Sequence, residues 1–234
     1  MTEDADSSGV SKRKVIDVIV QPDDQFRLGD FLTQSLNNVD WTEFRASVAF
    51  VKRSGTKHLK SALAAFSQRA SVSISAGIDS GGTSLEGLQD LISAVLPAGK
   101  LWIYHNANSS TFHPKVFLFK NSGADDLVIG SCNLTEGGLY TNYEAGVRFK
   151  LDLANTAQRS VLLSVEAALD RWSAALPGVC FALDGVLLKK LVDLGKVPSE
   201  AMAKETEERG SADEANGSSG KDSLFKAIGV RAAP

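Results

Sequence analysis

The run FHPKVFLFKNSGADDLVIGSCNLT, residues 112–135, contains two strand-like segments with no helical pattern between them. Apolar runs rich in β-branched and aromatic residues, separated by Asn, Ser, Gly and Asp, are typical of successive strands joined by a turn. Similar strand-like runs lie before this stretch, at 101–106, and after it, at 143–151. The second half of the chain therefore predicts consecutive antiparallel strands.

The first hundred residues follow a different rhythm, in which strand-like and helical patterns alternate. Three β-branched runs, at 14–21, 44–52 and 71–78, are each followed by an amphipathic helical pattern. A helix near residue 83 has Thr83 as a possible N-cap with Glu86 three residues on. Alternation followed by consecutive strands predicts an α/β fold: a three-layer α/β/α sandwich with a mixed β-sheet. Further helices are predicted at 156–174 and 185–195.

Length and composition favour one well-cored domain, because the chain has 234 residues of which 43% are hydrophobic. We expect a catalytic domain at 14–196, preceded by a disordered N-terminus at 1–13. The stretch 197–222 is rich in Glu, Ser, Gly and Ala and predicts a disordered linker. The C-terminal segment 223–234 either begins a further domain or docks elsewhere.

Composition also limits the class of protein. No apolar run approaches the roughly 20 residues of a membrane helix, and the N-terminus lacks an apolar signal segment, so we expect a cytoplasmic protein with no membrane partner. The two cysteines, Cys132 and Cys180, are too few for a disulfide framework or a zinc cage, so no metal or cofactor is predicted. A formal net charge of −3 does not by itself suggest nucleic acid.

Four polar residues interrupt the apolar strands in two pairs. His113 and Lys115 are two positions apart, as are Ser131 and Asn133, and residues two apart on a strand share a face. Each pair alone is more often a solvated surface or a turn. Together, on neighbouring strands, they predict a cationic pocket with hydroxyl and amide donors, which suits a phosphoryl group.

The segments HPK and GSCN, in this order, resemble the His-x-Lys and Gly-Ser-x-Asn signature of the phospholipase D superfamily, in its single-motif bacterial nuclease-like branch. The resemblance covers residues 113–144. This family often has an acid separated from the lysine by four residues, whereas this chain has Lys120 there. Glu144, placed as in the single-motif nucleases, is therefore assigned to orient the imidazole, with Asp125 or Asp126 as the alternative.

The resemblance implies a metal-independent nuclease that acts as a homodimer. One His113 would attack phosphorus to form a phosphohistidine, and His113 of the second copy would protonate the leaving oxygen. Lys115, Asn133 and Ser131 would hold the phosphoryl oxygens, and Glu144 would orient the imidazole. We expect DNA as the substrate, within a restriction or phage-defence protein that also has a helicase or DNA-recognition domain. The alternatives are a non-catalytic module that binds the nucleic-acid backbone, or a phospholipase. His105 is a weaker candidate for lining the cleft.

Overall fold

The computed structural model describes residues 15–107, 110–202 and 231–234. The expected disordered N-terminus, residues 1–13, lies outside the described residues, as do residues 203–222 of the expected linker and 223–230 of the C-terminal segment. The described residues form eight strands and five α-helices. In chain order these are β1 Ile16–Gln21, α1 Leu28–Asn37, β2 Glu43–Val48, α2 Arg53–Ser67, β3 Ser71–Gly77, α3 Leu85–Val95, β4 Lys100–Tyr104, β5 Lys115–Lys120, β6 Ala124–Gly130, β7 Glu144–Asp152, α4 Thr156–Trp172, β8 Cys180–Ala182 and α5 Gly185–Asp193.

All the strands belong to one mixed sheet in the order β1-β7-β6-β5-β2-β3-β4-β8. Strands β2, β3 and β4 are parallel neighbours, and the other pairs are antiparallel. The predicted mixed sheet is therefore confirmed. β1 is not a neighbour of the parallel strands, because β5, β6 and β7 lie between it and β2. The short strand β8 was not predicted from the sequence.

Helices cover both faces of this sheet, as a three-layer sandwich requires. Residues of β5 alternate between the two layers: Phe117 and Phe119 pack with α1, α2 and α3, whereas Val116 and Leu118 pack with α4. This alternation follows from the two-residue repeat of a strand. It also explains why β5 reads as a continuous apolar run, since both of its faces are buried.

Two boundaries differ from the sequence expectations. Ser84, not Thr83, caps α3, because its hydroxyl accepts a hydrogen bond from the Gly87 N–H at 3.0 Å. Thr83 instead donates its hydroxyl to the Gly77 carbonyl at 2.6 Å, which ties the start of α3 to the end of β3. Beyond residue 196 the chain continues to pack: Val197 is buried, and the Leu85 N–H donates to the Pro198 carbonyl at 2.9 Å. The first residues of the expected linker thus contact the domain.

Candidate active site

One edge of the sheet gathers the predicted site residues. The strand directions bring the starts of β5 and β7 to the same edge as the ends of β2, β3, β4 and β6. Lys115 begins β5 opposite Val48, the last residue of β2, and Glu144 begins β7. We call this edge the site end and the opposite edge, where β5 ends at Lys120, the far end.

His113 and Lys115 are in direct contact at the site end. The Lys115 Nζ atom lies 2.7 Å from Nδ1 and 2.9 Å from Nε2 of His113, and it donates to the His113 carbonyl at 3.2 Å. His113 is exposed and Lys115 is buried, with 7% of its surface accessible. The sequence predicted that His113 and Pro114 lie within this strand, but the strand begins at Lys115 and both residues precede it. Proline has no N–H to give to the ladder, which accounts for the later start.

The surroundings lower the pKa of both members of this pair. Partial desolvation of the ring and, second, the neighbouring Lys115 charge lower the pKa of His113 below its usual value of 6.5. Burial also lowers the pKa of Lys115, while the negative charge of Glu144 opposes that effect. A neutral imidazole keeps a nitrogen lone pair available, as a nucleophile or base requires.

Phe50, which follows β2, connects this pair to Asn133. Its ring lies edge-on to His113 with the ring centroids 5.6 Å apart, and the Lys115 Nζ atom is 6.0 Å from the ring centroid. The Phe50 N–H donates to Asn133 Oδ1 at 3.1 Å. A Cβ at Gly82 would lie 2.2 Å from Phe50 Cδ1, so only glycine fits beside this ring. Phe50 was not identified from the sequence, where nothing marks a contact 83 positions away.

Ser131 and Glu144 form the second half of the site. The Ser131 hydroxyl donates to Glu144 Oε2 and accepts from the Ala145 N–H at 3.1 Å. Asn142 Nδ2 donates to the other Glu144 oxygen at 3.4 Å. Among the described residues, no hydrogen bond joins Glu144 to His113. The carboxylate that was assigned to orient the imidazole therefore holds Ser131 within this chain.

The alternative orienting acids lie at the far end, because β6 carries them away from its site-end terminus at Gly130. Asp126 pairs with Arg148 through two bonds of 2.8 and 2.5 Å. Asp125 is buried opposite Lys120, and neither of its oxygens has a partner in the described part of the chain. A cavity of about 850 Å³ at this end is lined by both aspartates and Arg148. Neither aspartate reaches His113, so this cavity is separate from the predicted chemistry.

His105 is held by a carboxylate at the site end. Its Nδ1 lies 2.5 Å from Asp79 Oδ1, and the other Asp79 oxygen accepts from the Phe112 N–H at 2.9 Å. Asp79 therefore links the end of β4 to the residue before His113. The sequence placed His105 at a strand end but did not identify Asp79 as its partner.

No group of three or more His, Cys, Asp or Glu side chains within the described residues is arranged to hold a metal ion. None of the helices formed by these residues is long and apolar enough to span a bilayer. The described cysteines, Cys132 and Cys180, are both buried and unpaired, and burial raises the pKa of the Cys132 thiol to about 12. The polar chemistry at the site end therefore rests on His113, Lys115 and their neighbours.

Comparisons with known proteins identify the fold. No protein-family model matches the sequence, and no curated protein matches it. NucT from Helicobacter pylori matches 67% of this chain and 94% of its own, with 15% identity and a TM-score of 0.50. Phosphatidylserine synthase from Haemophilus influenzae Rd KW20 matches 77% of this chain and 46% of its own, with 11% identity and a TM-score of 0.50. Nuc from Salmonella typhimurium, a phospholipase D family member, matches 65% and 91%, with 18% identity and a TM-score of 0.47. The chain therefore shares its fold with NucT and with phosphatidylserine synthase.

Proposed function

We propose that the protein is a metal-independent endonuclease that cleaves DNA through a phosphohistidine on His113. The observation that carries this proposal is the contact between His113 and Lys115 at the site end. The ring is exposed, the pKa of His113 is lowered, and every hydrogen bond that the described residues give the Lys115 amine goes to His113. A neutral nucleophile beside a cation with no carboxylate partner is suited to attack on an anionic phosphodiester.

The proposed reaction has two steps. A neutral ring nitrogen of His113 attacks phosphorus, a P–N bond forms, and the bond from phosphorus to the leaving oxygen breaks. The leaving oxygen takes a proton from a second imidazole. Water then attacks phosphorus, the P–N bond breaks, and the second imidazole takes the proton from that water. Lys115 neutralises the phosphoryl oxygens, which is the role that a metal ion has in other phosphoryl-transfer enzymes.

The remaining residues support this pair. Asn133 is fixed by the Phe50 N–H, which leaves its side-chain amide to donate to a phosphoryl oxygen. Ser131 donates to Glu144, and that carboxylate also favours the charged form of Lys115. We assign Glu144 the role of positioning Ser131 and maintaining the Lys115 charge. Orientation of an imidazole by Glu144 remains a prediction that no contact within this chain supports.

The second imidazole is proposed to come from a second copy of the chain. A ring whose nitrogen is bonding to phosphorus cannot at the same moment protonate the leaving oxygen, which departs on the opposite side, so each turnover needs two imidazoles. A two-fold homodimer brings two copies of the same residue together across its axis. His105 is the other histidine at this end, but its Nδ1 is engaged by Asp79. We therefore propose a site shared by two subunits, each contributing His113.

DNA is the proposed substrate, although the fold itself does not select it. Phosphatidylserine synthase shares the fold at 11% identity, so a phospholipid diester is the second candidate. Against it, we identified in the sequence no polybasic run and no exposed amphipathic apolar segment that would dock to a bilayer. We further propose that the activity belongs to a restriction or phage-defence protein, in which a helicase or DNA-recognition domain selects the target.

A cleavage assay in EDTA tests the proposed activity. Wild-type protein is expected to cut a labelled oligonucleotide equally well with and without the chelator, while His113→Ala, which changes an exposed residue, folds normally and loses cleavage by at least about 100-fold. His58→Ala, a histidine of α2 outside the site, is the matched control and is expected to stay active. Cleavage that requires metal, or that survives in His113→Ala, would contradict the proposal. Binding without cleavage by wild-type protein would favour the non-catalytic module.

Subunit mixing tests the shared site. Wild-type and His113→Ala chains are exchanged at increasing mutant fraction, with exchange confirmed by mass spectrometry. If both imidazoles are needed, activity falls as the square of the wild-type fraction, leaving about a quarter at equal mixing. A linear fall, leaving about half, would show that one subunit suffices.

A further inference from the structure

An open groove lined by aromatic side chains adjoins His113. It has a volume of about 330 Å³. Its lining includes three aromatic residues, Tyr104, Phe112 and Trp172, and also Asn106, Thr111 and His113. This volume is at the lower end of the range for small-ligand sites. Apart from His113, the side chains that line it carry no charge, so the groove suits a neutral, flat group attached to a phosphate.

The aromatic rings have fixed positions. Phe112 stacks on Tyr104 with the ring centroids 4.3 Å apart and the planes 19° apart, and it meets Trp172 edge-on at 5.8 Å. The Phe112 N–H is bound by Asp79, and the Trp172 carbonyl accepts the Ser75 hydroxyl at 2.8 Å. Phe112 is buried, whereas Tyr104 and Trp172 are partly exposed. The rings are thus held by the sheet, by Asp79 and by α4.

Rings that only filled the core would all be covered, but Tyr104 and Trp172 are partly exposed in an open groove that reaches the proposed nucleophile. We propose that the groove is a nucleobase subsite, which stacks the base of the nucleotide next to the phosphate that His113 attacks. This inference rests on the proposed function, because the phosphate is what places the nucleoside beside the groove. Aromatic faces stack any base, and Thr111 adds a polar side chain to the lining.

The subsite has a consequence for the class of substrate. A base in a duplex is already stacked and paired, so it must be unstacked and extruded before it can enter the groove, which costs free energy. Single-stranded, frayed or unpaired DNA does not incur that cost. The groove therefore predicts faster cleavage of single strands than of duplexes of the same sequence.

Calorimetric binding of small ligands to the full chain tests the subsite. The ligands are the dinucleotide d(TpT) and two analogues, each with one thymine replaced by hydrogen. Wild-type protein is expected to bind d(TpT) at least about fivefold more tightly than one of the analogues, the lower end of the effect of base–aromatic stacking. Tyr104→Leu should abolish this difference without changing the affinity for that analogue.

Phe181→Leu is the matched control, because Phe181 is an exposed aromatic on β8, the neighbour of β4, and does not line the groove. It is expected to retain the difference. Equal wild-type affinity for all three ligands would overturn the subsite, and this result does not depend on any variant folding. Retention of the difference in folded Tyr104→Leu would also overturn it.

The same ligands separate the subsite from the nuclease proposal. Base-dependent binding without cleavage of d(TpT) or of a single-stranded oligonucleotide would leave the subsite standing and remove the nuclease. Cleavage of DNA with no base-dependent binding would do the reverse. Hydrolysis of phosphatidylcholine vesicles, with equal binding of all three ligands, would remove both in favour of a phospholipase.

Discussion

Buried charged residues lie at both ends of strands β5 and β6, but their interaction partners differ between the two ends. At the far end, the charges of Arg148 and Asp126 are paired, as are those of Lys120 and Glu166. At the site end, Lys115 is buried, yet its nearest partner is an imidazole, and Glu144 is bonded to Ser131. Apart from Asp125, the charges named at the far end are paired, whereas the site end keeps a cation available.

This difference distinguishes residues that stabilise the fold from residues that are suited to catalysis. Burial of a charge without an opposite charge costs folding free energy, whereas buried pairs at least offset that cost. The lowered pKa of Lys115 is the signature of such a cost. Groups perturbed in this way, and located beside an open groove, are characteristic of functional sites. The larger cavity at the far end also has a perturbed group, since burial raises the pKa of Asp125 to about 6, but no histidine lines it.

The largest expected effect concerns the two lysines at opposite ends of β5. Lys115→Met should lower kcat for DNA cleavage by about 100- to 1000-fold, because it removes the group that neutralises the phosphoryl oxygens. Its thermal stability should be equal or higher, since a buried charge is lost. Lys120→Met is the control, with lower stability and unchanged kcat. If Lys120→Met loses activity and Lys115→Met keeps it, the proposed difference between the two ends is wrong.

The next effect concerns the far end alone. Arg148→Met leaves the Asp126 carboxylate buried without its partner and should lower the free energy of unfolding by about 3 kcal/mol, measured in urea. Adding Asp126→Asn should restore most of the loss. Activity per folded molecule should be unchanged in both variants. A fall in kcat with normal stability would give this end a catalytic role instead.

A pH-dependent effect is expected at Asp125, where burial raises the pKa from 3.8 to about 6. A carboxyl whose pKa rises on folding stabilises the fold while it is protonated, and this contribution disappears as the pH rises through about 6. Asp125→Asn should therefore gain stability relative to wild type by roughly 2 kcal/mol between pH 4 and pH 8. If the difference in stability between Asp125→Asn and wild type is the same at every pH, the pKa of this carboxyl is not raised.

The smallest expected effect concerns Ser131 and Glu144 at the site end. If Glu144 acts through Ser131, then Glu144→Ala, Ser131→Ala and the double variant should each reduce kcat by a similar factor of about ten, because they break the same hydrogen bond. A far larger loss for Glu144→Ala alone would instead support direct orientation of an imidazole, as the sequence suggested.

The site end shows how far sequence reasoning extends. The sequence predicted that four polar residues lie at one edge of the sheet, and the structure places them there: His113, Lys115, Ser131 and Asn133. This was possible because two-residue alternation is a local property and β5 and β6 are consecutive strands joined by a short turn. The partner of Glu144 was not predicted, since a carboxylate near both a hydroxyl and an imidazole has two acceptable partners and only the geometry selects one.

Long-range contacts were also missed. Phe50 and Asp79 lie in loops that follow β2 and β3. No local sequence pattern predicts that Phe50 contacts Asn133 or that Asp79 contacts His105. Similarly, β8 has only three residues, too few to show a periodicity. Such features depend on the packing of distant segments and not on local pattern.

Trapping of the covalent intermediate tests the central claim most directly. Wild-type protein is mixed with a single-stranded oligonucleotide in EDTA, quenched during the first turnover with alkali, under which phosphohistidine survives, and digested for mass spectrometry. The account predicts a nucleotide linked through phosphorus to the peptide that contains His113, and no adduct in His113→Ala. An adduct on another residue, such as His105, or DNA cut within the first turnover with His113 unmodified at every quench time, would contradict it.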